Sequence, residues 1–187
     1  MSGFQSHHKG GLPARLQHVY DAYLPRIYGY VAARIDNRHD TEDVVSEVFL
    51  KTAAQLERLR SDQPEVLTTW LFTVARNTIH DYYRRKSPML VPYDILEDTP
   101  ANGLSPEAAL SQTENSTHLR QLLRTLSPRR QEVIILKFFA GLRNQEIATV
   151  LELDERTVAS HLSRGLQDLY SKFQTAEIKE SDDVGQG

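Results

Sequence analysis

Two clusters of charged side chains are the first features of this sequence that could do chemistry. The acidic cluster consists of Asp40, Glu42, Asp43 and Glu47, and the basic cluster of Arg76, Arg84, Arg85 and Lys86. Separate acidic and basic faces can bind two different partners, although charge runs are equally typical of solvated helix surface. The chain has no cysteine, which excludes disulfides, thiolate catalysis and thiolate zinc sites.

A second set of polar side chains lies in a segment with the pattern of a helix-turn-helix. Ala148 is small where two helices must approach closely, and Asp154 can cap the second helix, whose early residues could enter a DNA major groove. This helix would present to bases and phosphates the side chains of Arg156, Thr157, Ser160, His161 and Arg164. A plain helical hairpin with a polar outer face would show the same pattern.

Helical periodicity runs through the first half of the chain, which must position the charged clusters. We predict helix from about Leu16, with a new segment opened by Pro25, and then a long amphipathic helix over Asp40 to Leu59. A loop is predicted from residue 60 to 66, and helix resumes near Thr68 and continues to about Arg85. The stripe that this helix buries is predicted to be Leu67, Leu71, Val74, Thr78 and Tyr82, with Phe72 on another face.

The composition changes between Ser87 and Ser105, where prolines and acidic residues interrupt the periodicity. Beyond this segment we predict helices from about 106 to 126, from Ser127-Pro128 to near Gly141, from 144 to 151 and from 154 to 173. The sequence therefore predicts an all-α protein of two small helical domains, residues 13–86 and 106–175, joined by a flexible linker over 87–105. The ends, residues 1–12 and 176–187, are predicted to be disordered.

Composition narrows the class of protein. The 187 residues are 40% hydrophobic and 25% charged, as in soluble globular proteins. A formal net charge of -3 argues mildly against a protein that coats DNA nonspecifically. The sequence contains no apolar run long enough to cross a bilayer, and its N-terminus lacks the apolar core of a secretory signal. We expect a cytoplasmic protein that does not insert into membranes.

Three motifs, in order along the chain, resemble those of bacterial RNA polymerase sigma factors of the small extracytoplasmic-function (ECF) type. The segment Asp40 to Leu50, DTEDVVSEVFL, is similar to the signature of conserved region two, and Thr69 to Asn77, TWLFTVARN, to its partner helix. The segment Leu126 to Val133, LSPRRQEV, followed by Gly141-Leu142 and the helix-turn-helix, resembles region four. The resemblance covers about Leu16 to Phe173.

The resemblance implies a transcription initiation factor without enzymatic activity or cofactor. Its region two would dock on the clamp helices of the largest polymerase subunit through Asp43 and Glu47, with Glu42 nearby. The same domain would read the minus-ten promoter element and hold a flipped base near the loop from Arg60 to Thr68. Residues assigned to this DNA surface are Trp70, Arg76, Asn77, His80, Arg84 and Arg85, with Lys86 as a further phosphate contact. Trp70 could instead be mainly a core residue.

Region four would read the minus-thirty-five element through the second helix of the helix-turn-helix and would touch the polymerase flap. The linker would pass the active-site cleft, either as an acidic mimic of nucleic acid or as a passive tether. An anti-sigma factor is a further partner that the family implies. The sequence departs from the family at Glu152, where relatives usually have glycine in the turn, and at Ala159 and His161, which replace basic residues. A non-glycine residue in a left-handed turn costs about 1 kcal/mol, so a different turn is possible.

Two other functions compete with this assignment. A stand-alone helix-turn-helix transcriptional regulator would explain the second half of the chain but not the motifs at Asp40 and Trp70. A helical metal-dependent hydrolase would use the acidic cluster, with His39 and Asp43 one helical turn apart, but no second histidine converges on them. We therefore expect no metal site. Promoter sequence, regulon and inducing signal do not follow from the sequence.

Overall fold

A computed structural model describes residues 12–59, 61, 63–86 and 114–183, and all regular structure within them is helical. The elements are α1 (Leu12–Ala32), α2 (Arg38–Gln55), a short 3-10 helix (Leu56–Arg58), α3 (Pro64–Lys86), α4 (Glu114–Arg124), α5 (Pro128–Phe138), α6 (Asn144–Leu151) and α7 (Glu155–Asp183). The predicted all-α fold class is confirmed. The predicted linker, residues 87–105, lies outside the described residues, as do residues 1–11 and 184–187. Within the described ranges, no helix has the length and apolarity needed to span a membrane.

Pro25 and Pro64 lie in different structural settings from those predicted. Pro25 lies inside one continuous α1 and does not open a new segment, because buried residues on both sides of it, Tyr23 and Ile27, anchor the helix to the core. Pro64 begins α3 within the segment predicted as a loop. Proline is well tolerated in the first turn of a helix, where its missing N–H would have no intrahelical partner.

Helices α1, α2 and α3 pack together and form the core of the first half. The face that α3 buries is rotated from the predicted stripe: Phe72 is fully buried, while Leu67, Val74 and Tyr82 are only partly buried. Phe72 meets the ring of Tyr30 edge to face, with ring centroids 5.7 Å apart. The prediction for Phe72 was wrong because aromatic residues occur on several faces of α3, so periodicity alone did not identify the buried one.

Helices α5, α6 and α7 form the core of the second half, with α6 and α7 as the helix-turn-helix. Pro128 is the first residue of α5, as predicted, although the side chain of Ser127 makes no capping hydrogen bond. Helix α7 crosses α5 at Gly165, where an added Cβ would lie 2.7 Å from Cδ1 of Ile134. Glycine therefore permits the close approach of these two helices.

The turn between α6 and α7 keeps its left-handed residue despite the missing glycine. Glu152 has φ 55° and ψ 42°, and its N–H donates to the carbonyl oxygens of Ala148 and Thr149. The N–H of Leu153 also donates to the carbonyl of Ala148, at 2.9 Å. Buried Ile147 and Leu151 on α6 and Val158 on α7 hold the two helices in place, so Glu152 must adopt the strained conformation.

The last helix is longer than predicted. Helix α7 continues to Asp183, whereas we predicted that it would end near Phe173 and be followed by a disordered tail. The segment between these positions contains neither proline nor glycine and includes good helix formers, so nothing in it interrupts the hydrogen-bond ladder of α7. Charge composition alone was an insufficient reason to end the helix.

The two halves of the chain pack against each other. Their buried residues form one continuous cluster, and α3 of the first half lies against α6 of the second. Nε of Arg26 donates to the carbonyl of Ala140 at 2.8 Å. At Gly29, an added Cβ would lie only 3.2 Å from the carbonyl oxygen of Phe139. The two predicted domains are therefore in direct contact.

The strained turn yields a prediction about stability. Glu152→Gly should raise the free energy of unfolding by about 1 kcal/mol, because glycine adopts the left-handed conformation without a Cβ clash. Chemical denaturation measures this change. The matched control is Glu155→Gly, which replaces an exposed glutamate at the first residue of α7 and should lower stability. Equal destabilisation by both changes would contradict the strain at residue 152.

Candidate functional site

The acidic face of α2 contains the residues predicted to dock a protein partner. Asn37 caps the helix by accepting a hydrogen bond from the N–H of Asp40 at 3.1 Å. Glu42 is exposed and pairs with Arg38 at 2.8 Å, which lowers the pKa of its carboxyl group. Asp43, the next residue along α2, is also exposed. The structure therefore presents Glu42 and Asp43 to solvent, as docking requires.

Glu47 is placed differently from these two residues. Its side chain is half-buried where α2 packs against α3. Its carboxylate oxygens contact Arg85 at 2.7 Å and Lys51 at 3.0 Å. The hydrogen bonds from Arg85 and then Lys51 outweigh the desolvation of Glu47 and lower its pKa. Glu47 and Lys51 lie one helical turn apart on α2, a spacing at which opposite charges pair. The charge of Glu47 is largely compensated within the protein, so Asp43 is the more accessible anion.

The acidic and basic clusters meet along the α2–α3 contact. The two helices run antiparallel, so that Asp40 lies opposite Lys86 at 3.0 Å and Lys51 lies opposite Asp81 at 3.1 Å. The sequence left open whether the clusters form separate binding faces or solvated helix surface, because it does not reveal which sides of two helices pack together. Arg84 and Arg85, both predicted DNA contacts, are exposed but paired with Asp81 and Glu47.

One of these contacts is a three-membered cluster at the end of α3. The hydroxyl of Tyr82 donates to Asp40 at 2.6 Å, and the ammonium of Lys86 donates to Tyr82 at 2.8 Å and to Asp40 at 3.0 Å. Hydrogen bonds from Tyr82 and then Lys86 lower the pKa of Asp40, and hydrogen bonds to Tyr82 and then Asp40 raise the pKa of Lys86. Asp40 is thus a structural anchor for the last turn of α3.

The remaining predicted minus-ten residues lie on α3 with different exposures. Trp70 is partly buried and packs against the hydrophobic core, which agrees with the alternative of a mainly structural role. Asn77 is exposed, so its amide is free to contact a ligand edge. Arg76 is half-buried, and its Nε atom is buried with no hydrogen-bond partner among the described residues. His80 is also half-buried, and burial, followed by the charges of Arg76 and Arg34, lowers its pKa to about 4.

A buried polar cluster at the contact between the two halves was not predicted. Glu132 on α5 is almost fully buried, accepts a hydrogen bond from the hydroxyl of Tyr30 at 2.6 Å and forms an ion pair with Arg34. Tyr30 is fully buried, which raises its pKa, while the charges of Arg34 and Arg76 oppose that shift. The only sequence signal for this cluster was the charged residue Glu132 beside the apolar run that follows Pro128, and the sequence does not indicate which residue would pair with it.

The second helix of the helix-turn-helix places its predicted residues on one accessible face. Asp154 caps α7 by accepting from the N–H groups of Arg156 at 2.7 Å and Thr157 at 3.2 Å, as predicted. Arg156, Ser160 and Arg164 follow one another at four-residue spacing and are all exposed. Thr157 and His161 are half-buried beside them, and burial, followed by the charge of Arg129, lowers the pKa of His161. This stripe has the exposure that contact with a DNA groove requires.

The hydrolase alternative finds no site in the described ranges. No three histidine, aspartate or glutamate side chains there come together as a possible metal-ligand set. Three of the acids of α2 are instead paired with arginine, lysine or tyrosine side chains: Asp40, Glu42 and Glu47.

Comparisons with known proteins identify a family for each half of the chain. The family model for Sigma-70 region 2 matches residues 19–88, and that for Sigma-70, region 4, matches residues 117–169. RNA polymerase sigma factor YlaC of Bacillus subtilis (strain 168) is 31% identical over 160 residues, covering 82% of this chain and 89% of YlaC. ECF RNA polymerase sigma factor SigW of the same organism is 26% identical, with 81% of this chain and 84% of SigW covered.

A solved structure shows a similar fold. The sigma factor RpoE in complex with the anti-sigma factor NepR, from Bartonella quintana, aligns with a TM-score of 0.63 and 18% identity. The alignment covers 86% of this chain and 97% of that chain. At this level of identity the likeness extends to the fold and not to individual contacts.

The environment of His80 predicts how stability depends on pH. The folded-state pKa of about 4 lies below the ordinary value of 6.5, so the unfolded chain takes up a proton at a higher pH than the folded protein. This contribution to stability is complete above pH 6.5 and is lost as pH falls toward 4. Between pH 7 and pH 5, His80→Gln should lose less free energy of unfolding than the wild type, as measured by urea denaturation at both pH values.

The control for this measurement is His39→Gln, which replaces an exposed histidine on α2. It should show the wild-type loss of stability between the two pH values. An unchanged pH dependence in His80→Gln would mean that the buried environment of His80 does not disfavour its protonation.

Proposed function

Because the chain belongs to the sigma-70 family of RNA polymerase sigma factors and resembles its ECF members, we propose that its two halves divide promoter recognition between them. The first half docks on core polymerase and reads the minus-ten element, and the second half reads the minus-thirty-five element. The protein supplies binding energy for opening promoter DNA and performs no catalysis. The observation that carries this division is the exposed stripe of Arg156, Ser160 and Arg164 on a capped recognition helix, in a chain whose first half matches region two.

Docking on polymerase is assigned to the acidic face of α2. Asp43 is its exposed anion, Glu42 contributes beside it, and Glu47 adds to the surface while it ties α2 to Arg85 of α3. A basic coiled-coil surface on the polymerase clamp has the complementary charge. The accessible charge on this face is smaller than the sequence suggests, because Arg38, Lys51 and Arg85 neutralise part of it.

Minus-ten recognition is assigned to α3, where the exposed amide of Asn77 can donate to and accept from the edge of an unstacked base. Arg76, Arg84 and Arg85 supply positive charge for neighbouring phosphates, and His80 and Trp70 shape the surface behind them. Arg84 and Arg85 are both exposed, so each can exchange its carboxylate partner for a phosphate.

Minus-thirty-five recognition is assigned to the first turns of α7. The arginines at 156 and 164 can form bidentate contacts with guanine or bind phosphate, and Thr157, Ser160 and His161 complete the polar face. A stand-alone regulator would use this same helix but would leave the region two match over residues 19–88 without a role.

A further partner is an anti-sigma factor, for which the complex of RpoE with NepR is the precedent. We place this protein in the cytoplasm, because it would meet both the polymerase and the anti-sigma factor in that compartment. The linker over residues 87–105 and the polymerase flap contact of the second half are also part of the proposal. Both of these assignments rest on the family alone. The linker itself lies outside the described residues.

The docking assignment yields a charge-reversal prediction. Asp43→Lys should weaken binding to core polymerase by about fivefold, roughly 1 kcal/mol, without loss of stability, because Asp43 is exposed. Glu47→Lys should weaken binding and also lower the unfolding temperature, because it repels Lys51 and Arg85. Affinity for fluorescently labelled core polymerase measures the first effect. The control Glu57→Lys changes an exposed acid outside α2, and a loss equal to that of Asp43→Lys would show a nonspecific charge effect.

A second prediction distinguishes the roles of the two proposed DNA-binding surfaces. Asn77→Ala should slow promoter opening, since a lost base contact costs about 1–3 kcal/mol, whereas Arg164→Ala should weaken initial recruitment to duplex DNA. A template with a pre-opened bubble removes the cost of melting without changing the upstream duplex. It should rescue part of the Asn77→Ala defect and leave the Arg164→Ala defect in place. Transcription assays with core polymerase on both templates measure this, and identical defects on both would refute the division.

A further inference from the structure

One arginine of α1 is hydrogen-bonded to three backbone carbonyls around the turn between α2 and α3. The guanidinium of Arg15, which is half-buried, donates to the carbonyl of Leu56 at 2.9 Å. It also donates to the carbonyls of Leu59 at 3.0 Å and Ser61 at 3.3 Å. We call Leu59, Ser61 and Gln63 the α2–α3 turn. A side chain of α1 therefore helps to set the backbone of this turn.

The chemistry of arginine suits this position. Leu56 and Leu59 lie at the start and just after the end of the short 3-10 helix, Leu56–Arg58. Carbonyls at the carboxyl end of a helix lack intrahelical partners and carry the negative end of the helix dipole. A guanidinium satisfies such carbonyls because it is positively charged and presents several N–H donors in a rigid fork. A lysine ammonium would keep the charge but not the fork.

Helix α1 also holds the start of α3. The hydroxyls of Tyr23 and Thr68 are hydrogen-bonded to each other at 2.8 Å, and both residues are buried. Residues 15 and 23 are roughly 12 Å apart along α1, since an α-helix rises about 1.5 Å per residue. The α2–α3 turn and the first turns of α3 are therefore attached to the same helix at two separate points.

The face of α3 that carries Asn77 extends back to this turn. Four residues that recur every three or four positions share the face: Val66, Trp70, Thr73 and Asn77. Val66 and Asn77 are exposed at its two ends, and the two residues between them are half-buried. The ends are separated by roughly 16 Å along α3, which is about the length of five nucleotides in one strand. A strand read by Asn77 at one base therefore reaches Val66 and the turn at another.

We propose that Arg15 is a positioning residue for promoter reading. By fixing the α2–α3 turn beside Val66, it shapes a second contact for an unpaired base on the strand that Asn77 reads. The inference rests on the proposed function, because it takes α3 as the surface for the minus-ten element. Exposed Val66 offers an apolar side chain to the face of an unstacked base. The exposed amide of Gln63 can donate to and accept from the edge of that base.

Arg15 acts through the turn and not by touching the base. A turn that is ordered in advance lowers the entropic cost of binding a single strand. Loss of the three carbonyl contacts should therefore weaken the choice of the base at the turn, whereas loss of the Asn77 amide should weaken the choice of a different base. This difference in position distinguishes Arg15 from a residue that only stabilises the fold.

The first measurement tests whether Arg15 fixes the turn in the full chain. In Arg15→Gln, the backbone N–H groups of Leu59 and Gln63 should exchange with solvent at least about tenfold faster than in the wild type, because local opening becomes easier. Hydrogen exchange followed by NMR measures these rates. The matched control is Arg26→Gln, which removes another half-buried arginine of α1 that donates to a backbone carbonyl, that of Ala140 at 2.8 Å. It should leave both exchange rates unchanged.

The second measurement is the base preference of the chain bound to core polymerase. Templates carry a pre-opened bubble with a randomised non-template strand, and the bound templates are sequenced. The wild type should enrich particular bases at two or more positions. Asn77→Ala should remove the enrichment at one position. Arg15→Gln should reduce it at least about fivefold at another, about three to six nucleotides away, while Arg26→Gln keeps the wild-type pattern.

The conservative variant Arg15→Lys refines both measurements. It keeps the positive charge near the carbonyls but cannot reproduce the fork, so its exchange rates and base preference should lie between those of the wild type and Arg15→Gln. Circular dichroism establishes that each variant retains its helical fold. If Arg15→Gln does not fold, Arg15→Lys serves for the same comparisons.

The outcomes separate this inference from the proposed function. Unchanged exchange at Leu59 and Gln63 in folded Arg15→Gln would overturn the inference. A looser turn with an unchanged base preference would overturn it as well, and so would a loss of preference confined to the position that Asn77 reads. In each of these cases the wild-type enrichment and its loss in Asn77→Ala would leave the proposed function standing. If the wild type enriched no base at any position, the minus-ten assignment would be refuted and the inference would fall with it.

Discussion

The contact between the two halves of this protein sets the relative placement of their surfaces, and the carboxylate of Glu132 is the buried charge at that contact. It lies almost entirely out of water between the hydroxyl of Tyr30 and the guanidinium of Arg34. A buried charge is stable only when it is both paired and hydrogen-bonded, and removal of one partner from such a pair typically costs about 3–5 kcal/mol. This single contact therefore stabilises one arrangement of α3 against α6 among many that apolar packing alone would allow.

Opposite charges also compensate one another in the first half. Acids on α2 and bases on α3 neutralise one another across an antiparallel helix pair, through Asp40 with Lys86, Glu47 with Arg85 and Lys51 with Asp81. Pairs this exposed contribute little each to stability, so their arginines can exchange partners at low cost. These internal pairs leave only part of the charge on this surface available to a binding partner.

The second half depends on backbone geometry more than on charge. Gly165 lets α7 approach Ile134 on α5, and Glu152 accepts a left-handed conformation so that α6 and α7 meet at the angle of a helix-turn-helix. The buried side chains of Ile147 and Val158 hold that angle. Because these contacts fix α7 against α5 and α6, they also set where the exposed arginines at 156 and 164 lie on the surface.

The sequence by itself determined the all-α class, the bounds of α6, the cap at Asp154 and the family, because these depend on local periodicity, turn chemistry and ordered motifs. It also placed Asn77, Arg156, Ser160 and Arg164 on accessible helix faces. Only the tertiary structure decided that Phe72 is buried, that Glu47 pairs with Arg85, and that Glu132 reaches Tyr30 and Arg34. Those contacts join residues 38 or more positions apart, and helical periodicity specifies the faces of one helix but not which face of another helix will cover them.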